Sequence, residues 1–245
     1  MPLAKLRARA LRNEPAAQYQ LAIRYQSGVG ARRNFRHALL WLRKAAESGL
    51  GKAQVTLGKS YDFGIGTRPD PVKTYYWYKA AADSGNFDGQ YSLALCYLEG
   101  IGVKRNAVEG ARRLARLVRS GDAYVQHALG MCYWRGAGVR KNPRKAFLLH
   151  LRAARQGLAD AQFSVGACYS RGEGTKQNRE EAFKWNLRAA RQGDPRAQYN
   201  AGHDLEYGLG TASDLKRAVR WYEKAAAAGD REAKAALRRL KRKRK

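Results

Sequence analysis

Three cysteines are the residues of this chain best suited to redox or metal chemistry: Cys96, Cys132 and Cys168, spaced 36 residues apart. Thiols form disulfides, bind soft metals and attack electrophiles when their pKa is low. If the spacing reflects a structural repeat, equivalent helices lie about 8–10 Å apart, whereas a disulfide needs Cα atoms within roughly 7 Å. We therefore expect small packed side chains rather than disulfides. A thiol sensor or a row of metal ligands is the alternative.

The histidines show none of the spacings of metal or catalytic motifs. There are four of them, His37, His127, His150 and His203. No His-x-x-x-His, Cys-x-x-Cys or His-Glu-x-x-His occurs, and we expect His127 and His203 to make isolated polar contacts. The chain also lacks a Gly-x-Ser-x-Gly elbow and a phosphate loop. The sequence therefore predicts no catalytic residue, no metal site, no cofactor and no small-molecule substrate, and a protein that is not an enzyme.

The composition indicates a folded, strongly basic protein. Lys and Arg number 48 and Asp and Glu 20 in 245 residues, so the net charge is +28, while 44% of the residues are hydrophobic. This apolar content excludes a disordered basic chain, and solubility requires a net charge of only about 2 to 8. No segment has the roughly 18 apolar residues of a membrane span, and the first residues do not form a signal peptide. We expect a cytoplasmic protein, or a nuclear one in a eukaryote.

Glycines indicate the elements that must position these residues. The pattern Gly-x-Gly occurs six times at intervals of 36 residues, at Gly28/Gly30, Gly64/Gly66, Gly100/Gly102, Gly136/Gly138, Gly172/Gly174 and Gly208/Gly210. A second glycine series keeps the same period, at Gly49, Gly85, Gly121, Gly157, Gly193 and Gly229. A fixed period of this length indicates a repeat protein. A dinucleotide-binding loop is disfavoured, because a third glycine and a preceding strand are missing.

Each period predicts a pair of helices. Apolar and small residues recur at helical spacing on both sides of the Gly-x-Gly. One repeat position holds a short polar side chain that can cap the second helix: Asn34, Asp70, Asn106, Asn142, Asn178 and Asp214. Glu109 and Glu181 follow two of these caps by three residues and predict capping boxes. The first glycine of each Gly-x-Gly suits a left-handed helix end, and the second should let the two helices of the pair approach closely.

These residues resemble the Sel1-like repeat family, 36-residue relatives of tetratricopeptide repeats. The segment from Ala161 to Gly193 shows the pattern, and its copies cover roughly residues 13 to 229. The resemblance implies an all-α, right-handed α-solenoid of 36-residue helix-turn-helix repeats that acts as a non-enzymatic scaffold for protein–protein interaction. The third repeat departs from the pattern between Gly110 and Val118, so we expect an irregular second helix there.

The resemblance also implies which face of the first helices lines a concave groove for a partner. The predicted groove residues are Tyr91, Tyr124, His127, Met131, Trp134 and Phe163. An aromatic residue recurs at the repeat position of Phe163, so packing alone is the alternative explanation for it. Trp134 is different, because the fold does not require tryptophan at this position. The equivalent residues of the other repeats are Gln26, Asp62, Leu98, Ser170 and Glu206.

Basic residues are periodic as well. The loop after each Gly-x-Gly places them along one edge of the array, here named the basic rim: Arg32, Arg68, Lys104, Arg105, Arg140, Lys141 and Lys176. A solvated face is the plainest interpretation of such a row. For function, we expect a protein or peptide partner of acidic character in the groove. The alternative is an electrostatic binder of nucleic acid or an anionic membrane through the basic rim and a basic tail.

The two ends of the chain predict caps for the array. Residues 1–12 predict an N-terminal capping helix, residues 13–228 hold six repeats, and residues 229–245 predict a C-terminal capping helix and a basic tail. Terminal helices of a repeat array need a polar outer face, and both segments are rich in charge. Residues 238–245 contain seven basic side chains that repel one another, so we expect this tail to fray.

Overall fold

The structure is a computed structural model that describes residues 1–242; residues 243–245, the end of the predicted basic tail, lie outside the described residues. The described residues form α-helices and no β-strand. They fall into two units, residues 1–117 and residues 118–242, and each unit is a stack of helix pairs. The predicted all-α fold of 36-residue helix-turn-helix repeats is confirmed.

The first unit contains one terminal helix and three helix pairs. Its helices are α1 (Leu3–Leu11), α2 (Pro15–Ser27), α3 (Phe35–Glu47), α4 (Gly51–Phe63), α5 (Pro71–Asp83), α6 (Phe87–Glu99) and α7 (Ala107–Leu117). Each first helix packs on the second helix of its own repeat and on the helix that precedes it. Leu21, Leu42 and Leu57 are fully buried between these helices. The core is therefore a row of apolar contacts that continues from one repeat to the next.

The second unit begins with a short 3-10 turn, Val118–Ser120, and contains three helix pairs and a terminal helix. Its α-helices are α8 (Ala123–Arg135), α9 (Pro143–Arg155), α10 (Ala159–Arg171), α11 (Arg179–Arg191), α12 (Pro195–Tyr207), α13 (Leu215–Ala227) and α14 (Arg231–Arg242). The packing scheme is that of the first unit. Val125, Val165 and Leu205 are fully buried on the first helices of its three repeats.

The third repeat is irregular, as its sequence predicts. Helix α7 has 11 residues, whereas α3 and α5 have 13, and the 3-10 turn follows it directly. The corresponding end of α3 carries Ala45 and Ala46, which are buried. Leu117 and Val118 replace these alanines and are only half-buried. Larger side chains do not fit the close packing that the alanines permit, and the regular helix ends earlier.

The six predicted caps begin the second helices. In each case the side-chain oxygen of the cap accepts a hydrogen bond from the backbone N–H three residues later. The distance is 3.0 Å between Asn34 Oδ1 and the His37 nitrogen. These bonds satisfy a backbone donor that the first helical turn leaves without an intrahelical acceptor. The sequence therefore fixes where each second helix begins.

The two predicted capping boxes are wrong. The carboxylates of Glu109 and Glu181 pair with basic residues one turn later instead of reaching back to the cap. The N–H that a capping box would satisfy is already bonded, since the Asn106 nitrogen donates to the Tyr97 carbonyl oxygen at 2.8 Å. The equivalent bond closes the loop of every repeat. The glutamates are thus free to pair with the cations that follow them.

Both glycines of each Gly-x-Gly have positive φ, but they act at different places. The first ends the first helix in the left-handed conformation, with φ 79° at Gly28. The prediction that the second lets the helices of its own pair approach closely is wrong for four repeats, because Gly66, Gly102, Gly174 and Gly210 lie against the start of the preceding repeat's second helix. A Cβ at Gly66 would lie 2.5 Å from the Phe35 carbonyl oxygen, and one at Gly102 would overlap that of Pro71. The second glycine therefore sets the spacing between successive repeats.

Within each helix pair, one residue of the first helix and one of the second are matched in size, and this holds at the same two positions in every repeat. Where the first helix carries alanine the second carries leucine, and where it carries glycine the second carries a ring or an amide. The pairs are Ala22 with Leu42, Gly58 with Tyr78, Ala94 with Leu114, Gly130 with His150, Gly166 with Asn186, and Gly202 with Tyr222. A Cβ at Gly130 would lie 2.6 Å from the His150 ring. The two residues together fill the space between the helices.

A buried glutamine joins each of several repeats to the helix before it. Its Nε2 donates to a carbonyl oxygen near the end of that helix at 3.1 to 3.3 Å in Gln18, Gln54, Gln162 and Gln198. The Oε1 atom has no partner among the described residues in Gln18, Gln54 and Gln198. In Gln162 it accepts a hydrogen bond from Gln192, and in Gln126 one from Gln156. The fourth and fifth repeats thus satisfy an atom that the first, second and sixth repeats leave unpaired.

The basic C-terminal segment is helical up to Arg242, so the fraying predicted for it does not extend over residues 238–242. Arg239 holds α14 against α12. Its guanidinium lies 2.6 Å from the Glu206 carboxylate and donates to the Tyr207 hydroxyl at 2.6 Å. An ion pair of this kind offsets the mutual repulsion of the neighbouring cations.

Adding a methyl group at Gly102 should destabilise the protein much more than adding one at Gly85. Both residues have positive φ, 65° and 79°, so alanine bears a similar backbone strain of about 1–2 kcal/mol at either place. The space beside Gly85 is open, whereas a Cβ at Gly102 overlaps a carbonyl oxygen. We expect the free energy of unfolding to fall by about 3 kcal/mol or more in G102A and by about 1 kcal/mol in G85A. Urea denaturation followed by circular dichroism measures both, and equal losses would contradict the packing role.

The matched pair Gly130 and His150 should show strong coupling in a double-mutant cycle. G130A alone forces a methyl group against the imidazole ring and should cost about 1–3 kcal/mol. G130A/H150L reproduces the alanine–leucine combination of the first and third repeats. Adding G130A to H150L should therefore cost much less stability than adding G130A to the wild type. Urea denaturation of the four proteins gives the coupling free energy, which we expect to be about 1–2 kcal/mol. Additive effects would show that the two sites pack independently.

Candidate functional site

The second unit contains a cavity of about 270 Å³ that lies among α8, α9 and α10. Its lining residues are His127, Met131, Trp134, His150, Asp160, Phe163, Ser164, Ala167, Cys168, Arg171, Glu173 and Arg196. The apolar part comes mainly from α8 and α10. Glu173 comes from the Gly-x-Gly loop of the fifth repeat, and Arg196 from the first turn of α12. An apolar hollow with a few polar groups around it is the usual form of a ligand or side-chain binding site.

Trp134 is fixed by a hydrogen bond that joins two departures from the repeat pattern. Its indole Nε1–H donates to Glu173 Oε2 at 3.0 Å. Glu173 occupies the middle of a Gly-x-Gly, where the other repeats carry apolar residues: Val29, Ile65, Ile101, Ala137 and Leu209. The bond satisfies the polar edge of the indole and leaves its large apolar surface for contact. Two unusual residues from neighbouring repeats thus build one feature of the cavity.

His127 and His150 form a neutral pair on one side of the cavity. Their Nδ1 atoms are 3.1 Å apart. Burial lowers the pKa of His150 to about 3, and the charge of His127 would lower it further. Burial also lowers the pKa of His127, while Asp160 opposes this shift and Arg196 reinforces it. The expectation that His127 is isolated is wrong, because the helix pairing places it opposite a histidine on α9.

Arg196 lies over an aromatic ring and between two carboxylates. Its guanidinium carbon is 4.5 Å from the centre of the Phe163 ring, and its Nη2 is 2.6 Å from both Asp160 and Asp194. The hydrogen bonds to Asp194 and then to Asp160 outweigh burial and raise the pKa of Arg196. The second cation of the lining, Arg171, is exposed and forms no ion pair with a described residue. One arginine is therefore neutralised locally and the other is available to an anionic group.

The cysteine thiols are packed rather than activated. Cys168 lies in the cavity wall, and burial, aided by the charge of Glu173, raises its pKa to about 11. In the first unit, burial raises the pKa of Cys96 to about 12. Cys132 is buried as well. A thiol with a raised pKa is a poor nucleophile and a poor metal ligand at neutral pH, which favours packed side chains over a thiol sensor.

The structure brings four of the six predicted groove residues to this cavity: His127, Met131, Trp134 and Phe163. Tyr124 lies on α8 outside the cavity and is 60% exposed. Tyr91 belongs to the first unit and forms no part of the lining. Sequence reasoning missed His150, Glu173 and Arg196. Glu173 differs in kind from the apolar residues at the same repeat position, so the sequence carried a signal for it, whereas the repeat position of His150 also holds Tyr78, Asn186 and Tyr222.

The seven residues of the basic rim are all exposed, and each lies in the loop that leads into a second helix. Four belong to the first unit and three to the second. None forms an ion pair with a described residue. Arg105 uses its Nε to donate to the Leu98 carbonyl oxygen at 2.8 Å. The rim thus presents positive charge that described carboxylates do not neutralise.

Two further observations concern the described residues only. No group of three or more His, Cys, Asp or Glu side chains among residues 1–242 is arranged to hold a metal ion. Within the same range, every helix is too short or too polar to cross a membrane.

Comparison with known families gives a match over most of the chain. The family model described as the Sel1 repeat matches six segments, residues 15–50, 51–86, 87–117, 123–158, 159–194 and 195–230. The third segment is the shortest, in agreement with the shortened α7. The comparison with curated proteins gives no match.

Solved structures show the same fold. A Sel1 repeat protein from Oxalobacter formigenes is 30% identical with a TM-score of 0.81, and the alignment covers 87% of this chain and 85% of that one. The protein c5321, a protective antigen of uropathogenic Escherichia coli strains displaying an SLR fold, is 31% identical with a TM-score of 0.78. That alignment covers 96% of this chain and 50% of c5321, so the chain spans about half the length of c5321. The immunity protein PA5088 from Pseudomonas aeruginosa, 20% identical with a TM-score of 0.60 over 89% of this chain and 83% of that one, shares the fold alone.

The neutral histidine pair should make stability depend on pH. His150 has an ordinary pKa of about 6.5 when unfolded and a pKa lowered to about 3 when folded. Below about pH 6.5 the unfolded state therefore binds more protons, and the free energy of unfolding should fall as pH falls, by up to about 1.4 kcal/mol per pH unit. Urea denaturation at several pH values between about 7 and about 5 measures this slope.

H150N provides the matched control, since Asn186 occupies the same repeat position over Gly166. Burial raises the pKa of Asp204 to about 6, so protonation of Asp204 on acidification raises the free energy of unfolding, opposite to the effect of His150. Asp204 is present in both proteins, and its effect cancels in the comparison. We expect a clearly shallower loss of stability on acidification in H150N. The same slope in both proteins would show that His150 is not held neutral by the fold.

Proposed function

The chain belongs to the Sel1 repeat family, whose members are generally non-catalytic scaffolds for protein interaction, and from this premise we propose that it binds a partner protein through the cavity of its second unit. The observation that carries the proposal is the bond between Trp134 and Glu173. Trp134 lies at a position where no other repeat carries an aromatic residue, and Glu173 at one where the other repeats carry apolar residues. Together they hold a large aromatic surface in the cavity lining. Aromatic side chains held in place at a hollow are frequent centres of binding energy.

The cavity suits one large apolar side chain of the partner. Its volume of about 270 Å³ lies just below the roughly 300–1,000 Å³ of sites for small molecules. Met131, Trp134 and Phe163 offer apolar contact, and the imidazoles beside them are neutral. Burial of an apolar anchor there is worth about 1.5–3 kcal/mol before the costs of association.

An acidic segment next to that anchor fits the charges around the cavity. Arg171 is exposed at the lining and unpaired with described carboxylates. The net charge of the chain is +28, which attracts an acidic partner over distances of about a Debye length, or 8–10 Å at physiological salt. The proposed partner is therefore a protein with an exposed apolar side chain flanked by Asp or Glu.

Binding accounts for this site better than catalysis. The Cys168 thiol is protonated because its pKa is raised to about 11. The two imidazoles bond to each other rather than to a hydroxyl or thiol that they could activate. An activated nucleophile needs an adjacent base and a pKa suited to neutral pH. We therefore propose that the chain is not an enzyme and needs no cofactor.

The basic rim supports a second candidate function, the electrostatic binding of nucleic acid or an anionic membrane. Its seven exposed residues form no ion pair with described residues. Surface charges that serve only solubility are usually mixed in sign. This function requires neither the cavity nor Trp134, so the two candidates are experimentally separable.

W134A should weaken partner binding by about 30-fold or more, which corresponds to the 2 kcal/mol or more of an interface hot spot. Y124A is the control, because Tyr124 lies on the same helix outside the cavity. The partner is first captured from the source cell after nuclease treatment, and calorimetry with the purified pair then gives both dissociation constants. We expect Y124A to bind within about twofold of wild type, since surface contacts away from a hot spot contribute little. Equal effects of both substitutions, or loss of helix content in W134A, would contradict the assignment.

A further inference from the structure

We propose that one edge of the first unit binds the surface of an anionic lipid bilayer. This first-unit edge consists of the last turns of α2, α4 and α6, the Gly-x-Gly loops, and the first turns of α3, α5 and α7. These segments lie together, because each loop joins the end of a first helix to the start of a second. The inference rests on the second candidate function above and narrows it to one surface and one class of ligand.

Five apolar side chains protrude from the first-unit edge, with exposures of 39% to 71%: Val29, Phe35, Phe63, Val72 and Val108. Each lies in a Gly-x-Gly loop or in the helical turn next to one. Single exposed apolar residues are ordinary at protein surfaces, whereas a group on one edge indicates an interaction surface.

The fold does not require these apolar residues. The repeat position of Val72 and Val108 holds Arg144, Glu180 and Lys216 in the second unit. Those polar residues lie in the first turn of 13-residue second helices, which have the length and the side-chain cap of α5, the helix that carries Val72. The valines therefore contribute nothing that helix formation or packing needs. Their common feature is exposure on the first-unit edge.

Exposed cations surround the apolar group: Arg32, Arg33, Arg36, Arg68, Lys104 and Arg105. None of these forms an ion pair with a described residue. Among the acidic residues nearby, Asp70 and Glu109 are paired with neighbouring basic side chains, and Asp62 is half-buried. Glu99 is exposed without an ion pair to a described residue. The charge of the edge is thus strongly positive where the apolar side chains protrude.

A bilayer with anionic headgroups is the ligand that uses both features. Each Lys or Arg close to such a surface strengthens binding about fivefold, and aliphatic side chains gain by entering the boundary between headgroups and acyl chains. Nucleic acid uses the cations and stacks bases on aromatic rings, but it offers valine little. The valines also stand on helix ends that project outward, whereas a protein anchor needs a hollow to receive it.

Vesicle sedimentation of the full chain tests the proposal. The probes are vesicles of phosphatidylcholine alone and vesicles of equal parts phosphatidylcholine and phosphatidylserine. We expect binding to the second kind only, and weaker binding as salt screens the charges. V72S/V108S should lower the partition coefficient about tenfold, because two largely exposed valines lose their transfer to the apolar boundary. L148S, at an exposed leucine of the second unit, should leave it unchanged.

The charge component has a matched control in the second unit. R68Q/K104Q/R105Q should lower the partition coefficient about 100-fold, at about fivefold per cation. R140Q/K141Q/K176Q removes the same number of charges from the same repeat positions and should lower it by no more than about fivefold. Circular dichroism confirms that each variant is folded.

Several outcomes would overturn the proposal. They are absence of binding to phosphatidylserine vesicles at low salt, equal losses in the two charge variants, and an unchanged partition coefficient in V72S/V108S. A duplex oligonucleotide serves as the competing probe. If the oligonucleotide binds more tightly than the vesicles, and V72S/V108S changes neither oligonucleotide binding nor vesicle binding, the edge is a nucleic-acid surface. In that case only the membrane inference fails. W134A should leave vesicle binding unchanged, which keeps this test independent of the cavity.

Discussion

The close backbone contact between successive repeats is the constraint on which the rest of the structure depends. In four repeats the second glycine of the Gly-x-Gly lies against the carbonyl oxygen of the first residue of the preceding second helix, as Gly66 does with Phe35 and Gly102 with Pro71. No side chain fits in this contact, so the loop keeps its length and its left-handed conformation. The caps then start each second helix at the same distance from the glycine. Stacking at a fixed interval follows from these local conditions.

Within this fixed arrangement, the cavity forms where residues at paired positions depart together from those of the other repeats. Gly130 makes room for the imidazole of His150 on the facing helix, and this imidazole lies against His127. Trp134 and Glu173 are a second such pair, drawn from neighbouring repeats. A site built by paired exchanges leaves the stacking contacts intact, because each exchange conserves the space between helices.

Local chemistry explains which features the sequence could predict. The helix starts and ends depend on residues within a few positions of one another, so Asn34 and Gly28 were sufficient to place them. The capping box at Glu109 does not form because the backbone N–H of Asn106, its expected donor, is already bonded to the Tyr97 carbonyl oxygen. That bond depends on the path of the whole loop. Four of the twelve cavity residues could be predicted, and Trp134 among them is conspicuous within its own series of equivalent residues.

The cavity residues that could not be predicted take their places through contacts between different repeat positions, which a comparison of equivalent positions does not reveal. Glu173 was unusual within its own series, but its partner Trp134 lies in another series, as does His127, the partner of His150. Arg196 carried no such signal, because its place over Phe163 depends on the stacking of α12 on α10 and on two carboxylates. Tertiary geometry had to supply these pairings.

The buried glutamines make local opening easier in some repeats than in others. Gln198 keeps an unpaired side-chain oxygen, a condition that costs about 1–3 kcal/mol, and water that enters when the sixth repeat opens recovers part of this cost. Opening the fourth or fifth repeat instead breaks the hydrogen bond that the side-chain oxygen of Gln126 or Gln162 accepts from a second glutamine. We therefore expect the amide protons of α8 to α11 to exchange more slowly than those of the sixth repeat. These helices supply most of the cavity wall, so the proposed binding of a partner there would cost little conformational entropy.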